Sequence, residues 1–304
     1  MATPSKRSIV YKVANGLEIS FDLYLPTDAK AVPILLWFHG GGLLQGYRDK
    51  VAPHMLGSVE QHGHALISAD YRLAPQVGVQ DIFADVGDCI SFIRQSDGLV
   101  AHLMATGDEG AVDVTRLAVS GSSAGGYLAL LAGLYIEPKP KVILPIYPIT
   151  DPLGIFFTTS QPGSSKAGNV DATVQSYLDR TVAAVANNAP GSSRGNMYSH
   201  MLLHANLAEL LHFEMEPGPQ HNSSNDKWRV AKQIARRRLP PAYIIHGTAD
   251  LDVGVEQADE VVGVMVGEGL EVRYERLDGK DHLYDVKDPT EKLESMYEFM
   301  HKHV

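Results

Sequence analysis

Five short, predominantly apolar runs punctuate this chain: PILLWF ending at Phe38, ALISA at Ala69, RLAVS at Ser120, KVILPIY at Tyr147 and AYII at Ile245. Runs of this length that do not alternate polar with apolar residues suit strands buried on both faces, the situation of a parallel sheet. Helical patterns fall between several of them, notably DIFADVGDCISFIRQ and AGGYLALLAGLY. The alternation predicts an α/β fold: a mostly parallel sheet with helices on both faces. Upstream, SIVYKV and LEISFDLYLP flank Asn15-Gly16, a pair that tolerates positive φ at both positions and so predicts an antiparallel hairpin at the sheet edge.

From 151 to 239 the texture changes. Clusters of Gly, Ser, Asn and Pro, such as SQPGSSKAGN and NNAPGSSRGN, surround short helical stretches, and no buried-strand run occurs. Structureless loops of such length are uncommon in compact domains, so the segment reads as a helical lid inserted into a core made of 1–150 and 240–304. A chain of 304 residues accommodates one large α/β domain of this kind. Phe156, Phe157, Tyr177, Met197, Tyr198, Met201, Phe213 and Trp228 in the insertion are candidates for an apolar acyl or alcohol pocket or for ordinary lid packing. Leu43 and Leu44 are expected as pocket walls.

Lys and Arg total 26 against 36 Asp and Glu, a formal net charge of −10, which opposes attraction to nucleic acid or anionic lipid. Cys89 is the one cysteine, so no intramolecular disulfide can form and no oxidising compartment is suggested. The N-terminus carries no apolar run of signal-peptide length, and no stretch approaches the ~20 apolar residues of a membrane-spanning helix. The expectation is a cytoplasmic protein.

The strongest chemical signal is Gly121-Ser122-Ser123-Ala124-Gly125-Gly126, directly after RLAVS and before an apolar helical pattern. A sharp strand-to-helix turn there would present the Ser123 hydroxyl above the sheet, and small neighbours would be needed to avoid clashes. Spacing alone is weak evidence, because Gly191-Ser192-Ser193-Arg194-Gly195 also satisfies G-x-S-x-G. That copy follows Pro190 and precedes no apolar helix start, so Ser193 is expected as a lid-loop residue. His39-Gly40-Gly41-Gly42 closes PILLWF. Acyl transfer builds negative charge on the carbonyl oxygen, which preorganised amides stabilise. The backbone amides of Gly41, Gly42 and Ala124 are the expected oxyanion hole, with His39 orienting the loop.

A serine hydroxyl needs an imidazole to take its proton, and the imidazole needs a carboxylate to hold its tautomer. On a doubly wound sheet both should follow the nucleophile, acid before histidine. HGTAD places Asp250 after the last buried run, and the loop KDHLYD supplies His282. Asp250 is expected to orient and His282 to act as general base, with Asp252 as an alternative acid. Asp281 should point elsewhere, and His246 should support the acid loop. His200, His204 and His212 suggest one helical face, but no HExxH motif or carboxylate partner accompanies them, so no metal site is expected.

Taken together, HGGGLLQG at 39–46, YRLAP at 71–75, the helix bearing Asp85, GSSAGG at 121–126, YPITDP at 147–152, HGTAD at 246–250 and DH at 281–282 resemble the α/β-hydrolase superfamily, and within it the hormone-sensitive-lipase-like carboxylesterases. The resemblance implies an eight-stranded sheet, a Ser123–His282–Asp250 triad, the same oxyanion donors and no cofactor. Three features depart from that branch: few residues precede the HGGG strand to form a cap, Ser122 stands where an acidic residue is usual, and Gln76 where glutamate is usual. The expected function is hydrolysis of a small apolar carboxylic ester through an acyl-serine intermediate, with Leu43, Leu44, Tyr198 and Phe213 as substrate contacts. A lactonase, a thioester-releasing hydrolase or acyltransferase, or a C–C hydrolase would use the same triad. A small-molecule receptor is the non-enzymatic alternative. A homodimer is compatible with the resemblance.

Overall fold

The computed structural model describes residues 4–161, 170–213 and 224–304. Eight strands form one sheet: β1 (Ser5–Ala14), β2 (Leu17–Leu25), β3 (Val32–Phe38), β4 (Ala65–Ala69), β5 (Val112–Ser122), β6 (Val142–Ile146), β7 (Ala242–Gly247) and β8 (Val272–Leu277). Their order is β1-β2-β4-β3-β5-β6-β7-β8. β2 is antiparallel to both β1 and β4, and every other pair is parallel. This is the α/β-hydrolase arrangement that the motifs implied.

Local chemistry accounts for the elements. Ala14 pairs with Leu17 across the two-residue turn Asn15-Gly16, whose φ values of 51° and 81° are both positive, as a turn matching strand twist requires. β4, β6 and β7 are buried along their whole length. In β3, Ile34, Leu36 and Phe38 face one apolar cluster while Leu35 and Trp37 face the other, the period of two expected of a strand covered on both sides.

Helices α1 (Pro53–His62), α2 (Val79–Arg94), α3 (Ala101–Thr106) and α4 (Ala124–Tyr135) connect strands β3 to β6, α2 and α3 both lying between β4 and β5. After β7 come α10 (Glu256–Gly267), α11 (Tyr284–Lys287) and α12 (Glu294–His303). Met55 and Val59 of α1 join Met296, Tyr297 and Met300 of α12 on one face of the sheet. Val86, Leu128 and Val261, from α2, α4 and α10, cover the other.

Between β6 and β7 the chain carries α5 (Ile155–Thr158), α6 (Val170–Val174), α7 (Met197–His204), α8 (Leu207–Leu210) and α9 (Val230–Arg237), with no strand among the described residues. The segment is not uniform: α9 packs against α4 and α10 and buries Val230 and Ile234, so its last turns belong to the layer covering the sheet. Among the described residues no helix is long and apolar enough to cross a membrane.

Candidate active site

β5 ends at Ser122 and α4 begins at Ala124, leaving Ser123 alone between them at φ 57°, ψ −116°. A non-glycine residue there is strained, and the surroundings hold it. The Ser123 amide donates to the Ile146 carbonyl at 2.8 Å, and its carbonyl accepts from Tyr127 and Ile149, both at 3.2 Å. A Cβ at Gly121 would lie 2.1 Å from the Gly125 carbonyl carbon, and one at Gly125 would lie 1.9 Å from the Phe38 carbonyl oxygen. Only hydrogen fits at either position.

The HGGG loop lies directly against this turn, since a Cβ on Gly40 would come within 3.2 Å of the Ser123 Cβ. Gly41 and Gly42 adopt φ 110° and 67°. Ala124 opens α4, so its amide has no carbonyl four residues earlier in the helix to bond. Behind the loop, His39 stacks on Tyr71 with ring centroids 4.3 Å apart, its Nδ1 is 2.8 Å from the Gly40 carbonyl oxygen, and the Tyr71 hydroxyl donates to the His39 carbonyl at 2.8 Å. Burial lowers the His39 pKa, which suits a neutral ring within the loop. Arg72 grips Asp85 of α2 through Nε and Nη2, both at 2.9 Å, and so ties the YRLAP segment to the core.

On the loop after β7, Asp250 Oδ2 lies 2.6 Å from His282 Nδ1. Its other oxygen accepts from the amides of Asp252 and Val253 at 2.9 and 2.8 Å. Burial works against the carboxylate, but bonds from His246 and His282, the charge of His282 and the Val253 amide outweigh it and hold the pKa well below the usual range. His246 Nε2 sits 2.9 Å from the Val253 carbonyl oxygen and 3.3 Å from Asp250 Oδ2, bracing the loop. Asp252 does not bond His282; it lines the cavity instead. Asp281 accepts from the His282 backbone amide and from Lys287, pointing away from the imidazole. The His282 ring is 4.5 Å from that of Tyr147, whose hydroxyl donates to buried Asp285 at 2.6 Å.

Ser123 and His282 open onto one cavity of about 630 Å³, which Gly41 also lines. Gly42 and Ala124 are not among its lining residues, and the ring of Tyr198 sits so close to Gly42 that a Cβ there would be 2.5 Å from Tyr198 Cδ2. Tyr198 lines the cavity, whereas Leu43, Leu44 and Phe213 do not. Leu43 and Leu44 are 1% and 0% exposed and belong, with Phe213, to the main core cluster: their loops turn these side chains down onto the sheet. Phe156, Phe157, Tyr177, Met197, Met201 and Trp228 are likewise packed with that cluster or against it. The apolar part of the cavity wall comes instead from Leu283, Val286 and aromatic rings, beside the polar Lys50, Asn188, Ser192, Ser193 and Asn196. Ser193, expected in a lid loop, is among them.

The lid is stitched to the site by contacts that no sequence signal announced. The Tyr198 amide donates to Gln45 Oε1 at 3.0 Å and its hydroxyl to the Asp252 carbonyl at 2.5 Å. Asn188 Oδ1 accepts from the Gly46 amide at 2.5 Å. Asn187 donates to Asp70 at 2.6 Å, and buried Arg194 donates to the Leu44 carbonyl at 2.9 Å. Polar residues in a Gly/Ser/Asn-rich stretch read as loop, and their partners lie more than a hundred residues away.

The three lid histidines separate. His212 Nε2 sits 2.7 Å from the Pro75 carbonyl oxygen. His200 and His204 meet Asp171 of α6, a carboxylate partner that the sequence reading did not foresee.

A family model described as BD-FAE matches residues 21–265. Among curated proteins, the chain is 29% identical to non-reducing polyketide synthase Preu6 of Preussia isomera, over 92% of this chain and 14% of that protein. It is 26% identical to non-reducing polyketide synthase adrD of Penicillium roqueforti, over 99% of this chain and again 14% of the relative. The chain thus spans about 14% of the length of these relatives. Among solved structures, a protein with unknown function from Staphylococcus aureus subsp. aureus Mu50 superposes with a TM-score of 0.72 at 17% identity, covering 98% of this chain and 99% of that one. A butyrate-bound esterase from Thermogutta terrifontis gives 0.64 at 20% identity, covering 98% and 93%. An alpha/beta hydrolase superfamily protein from Enterococcus faecalis gives 0.72 at 16%, covering 97% and 96%. These structural likenesses are of fold.

Proposed function

Because this chain belongs to the BD-FAE family of α/β-hydrolase-fold proteins, we propose that it is a serine hydrolase cleaving carboxylic esters through an acyl-serine intermediate. The observation that carries the reading is the strained Ser123, at φ 57°, sharing one cavity with a His282 whose Nδ1 is 2.6 Å from Asp250. In this reading Ser123 Oγ attacks the ester carbonyl and gives its proton to His282 Nε2, while the Nδ1–H remains hydrogen-bonded to Asp250. The amides of Gly41, Gly42 and Ala124 receive the developing oxyanion, a contribution of several kcal/mol where such donors are preorganised. His282 then protonates the departing alcohol. Water, deprotonated by the same imidazole, attacks the acyl-enzyme and frees the acid. No step calls for a cofactor.

The test is hydrolysis of p-nitrophenyl acetate and butyrate by wild type and by Ser123→Ala. Loss of turnover with an unchanged circular dichroism spectrum is expected, together with fluorophosphonate labelling of wild type alone. Unchanged turnover in the variant would refute the assignment, and a wild type that neither labels nor turns over would point to a receptor.

A second reading rests on the curated relatives. The matching stretch is a small part of each polyketide synthase, and thioester hydrolysis that frees an acyl chain from a carrier would use the same triad. The amide, hydroxyl and ammonium groups of Asn188, Ser192 and Lys50 at the cavity wall offer hydrogen-bond partners to an oxygen-rich acyl group. Comparing thioesters with oxygen esters of one acyl group, and hydroxylated aromatic acyl groups with butyryl, separates the readings.

A further inference from the structure

In the lid, α6 and α7 pack side by side, and three potential ligands face one another across the seam. His200 and His204 are four residues apart on α7, hence on one face of the helix, and their ring centroids are 4.4 Å apart. Asp171 projects from α6. His200 Nδ1 is 2.8 Å from Asp171 Oδ1, and His204 Nε2 is 2.9 and 3.1 Å from the two carboxylate oxygens. One donor atom from each residue lies within 4.8 Å of the other two.

We propose that Asp171, His200 and His204 bind a divalent transition metal of the zinc class, which clamps α6 to α7. The donor set selects the metal. Two imidazoles and one carboxylate suit Zn²⁺ and its neighbours Co²⁺ and Ni²⁺, whereas Mg²⁺ and Ca²⁺ take all-oxygen shells. Bond lengths of ~2.0–2.1 Å put neighbouring donors of a tetrahedral site ~3.3 Å apart, so each histidine nitrogen must move a few tenths of an ångström away from Asp171, and the two imidazole donors, within 4.8 Å of each other, must settle at that same separation. His200 is 6% exposed, while the side chains of Asp171 and His204 keep 50% and 43% of their exposure. Water can therefore enter the remaining coordination position. Each histidine must turn a lone pair toward the metal, and the hydrogen bonds to Asp171 are exchanged for coordination bonds.

The consequence reaches the oxyanion loop through α7. Its second residue, Tyr198, bonds Gln45 and Asp252 and covers Gly42. None of the three ligands lines the active-site cavity, so the metal holds the lid and takes no part in bond breaking. The inference does not depend on the ester-hydrolase reading.

Protein dialysed against EDTA and then freed of chelator is titrated with ZnCl₂ by calorimetry, and its melting temperature is followed with and without the metal. Co²⁺ serves as a spectroscopic probe through its visible d–d bands. Wild type is expected to take up one equivalent, melt at a higher temperature with Zn²⁺ and show low-symmetry Co²⁺ bands. Outer-shell partners of metal ligands are worth ~10–100-fold in affinity, so His204→Ala, His200→Ala and Asp171→Asn should each weaken binding by at least about that factor. His204 is half exposed, so the metal-free melting temperature of His204→Ala should match wild type. A wild type with no uptake at micromolar Zn²⁺, or variants that bind as wild type does, would overturn the proposal.

Discussion

The guanidinium of Arg194 in the lid donates to Gln76 Oε1 of the core at 2.8 Å, and the Gln76 amide donates onward to the carbonyls of Tyr177 and Asp179 at 2.7 and 3.0 Å. The same guanidinium holds the carbonyls of Leu44 and Ala74, both at 2.9 Å. One lid side chain thus fixes the segment after the HGGG loop and the end of the YRLAP segment. No carboxylate pairs with it among the described hydrogen bonds and ion pairs; the Tyr177 ring lies 5.5 Å from its Cζ. Burial pulls its pKa down to about 10, still cationic at neutral pH. Glutamine at 76 can accept from Arg194 and donate to the two lid carbonyls at once, which glutamate could not.

Arg194→Met should strip the buried carbonyls of Leu44 and Ala74 and the half-buried Gln76 Oε1 of their partner. At ~1–3 kcal/mol for each such group left unsatisfied, the loss of stability should be about 3–9 kcal/mol by urea denaturation. Ester hydrolysis should fall with it, because the Gly41–Gly42 loop loses its anchor. A variant as stable and active as wild type would show that the lid is held elsewhere.

Asp250→Asn should lower kcat by about 10³–10⁴-fold, the scale at which a triad carboxylate acts through imidazole tautomer and orientation. Asp252→Asn should change it by less than about tenfold, since that side chain does not bond His282. Comparable losses in the two variants would reassign the acid. The Asp250 carboxylate is held well below the usual range, so its own protonation should not limit activity at mildly acid pH.

Two glycine-to-alanine changes should have opposite signs. Gly125→Ala places a methyl 1.9 Å from the Phe38 carbonyl and should cost more than about 4 kcal/mol or abolish soluble expression. Gly57 lies inside α1 with nothing within 4 Å of the added atom, so Gly57→Ala should stabilise by ~0.5–1 kcal/mol. Melting temperatures of the two variants check both.

Burial, with His301 and His62 nearby, lowers the His64 pKa to about 3, against ~6.5 in an unfolded chain. Below that value the unfolded state takes up a proton that the native state refuses. Its contribution to stability is therefore complete above about pH 6.5 and is lost as pH falls toward 3. One such proton weakens the fold by about 2 kcal/mol between pH 7 and pH 5. His64→Gln should flatten that part of the stability–pH curve, and a variant with the wild-type slope would assign the effect to other groups.

The parts of the fold that could be read beforehand are those whose chemistry is local. The runs in β3, β4, β6 and β7 are apolar because both faces are covered. Asn15-Gly16 marks its turn because both residues tolerate positive φ. The strand–GSSAGG–helix context marks the elbow because Gly121 and Gly125 leave no room for a Cβ. The pocket was less legible. Leu43 and Leu44 follow Gly41 and Gly42, but whether they face the cavity or the sheet depends on loop dihedrals, and Leu43 takes φ 64°. Ser193 and Asn196 line the cavity although nothing in their neighbourhood distinguishes them from solvent-facing loop.

The order of strands and helices along the chain and the tight turn at Ser123 follow from the amino-acid sequence, because apolar periodicity and steric allowance are properties of a few adjacent residues. The shape of the cavity, the grip of Arg194 and the meeting of Asp171 with His200 and His204 were decided only by tertiary structure. Each joins residues of separate segments, and such pairings depend on how the lid docks rather than on any local preference.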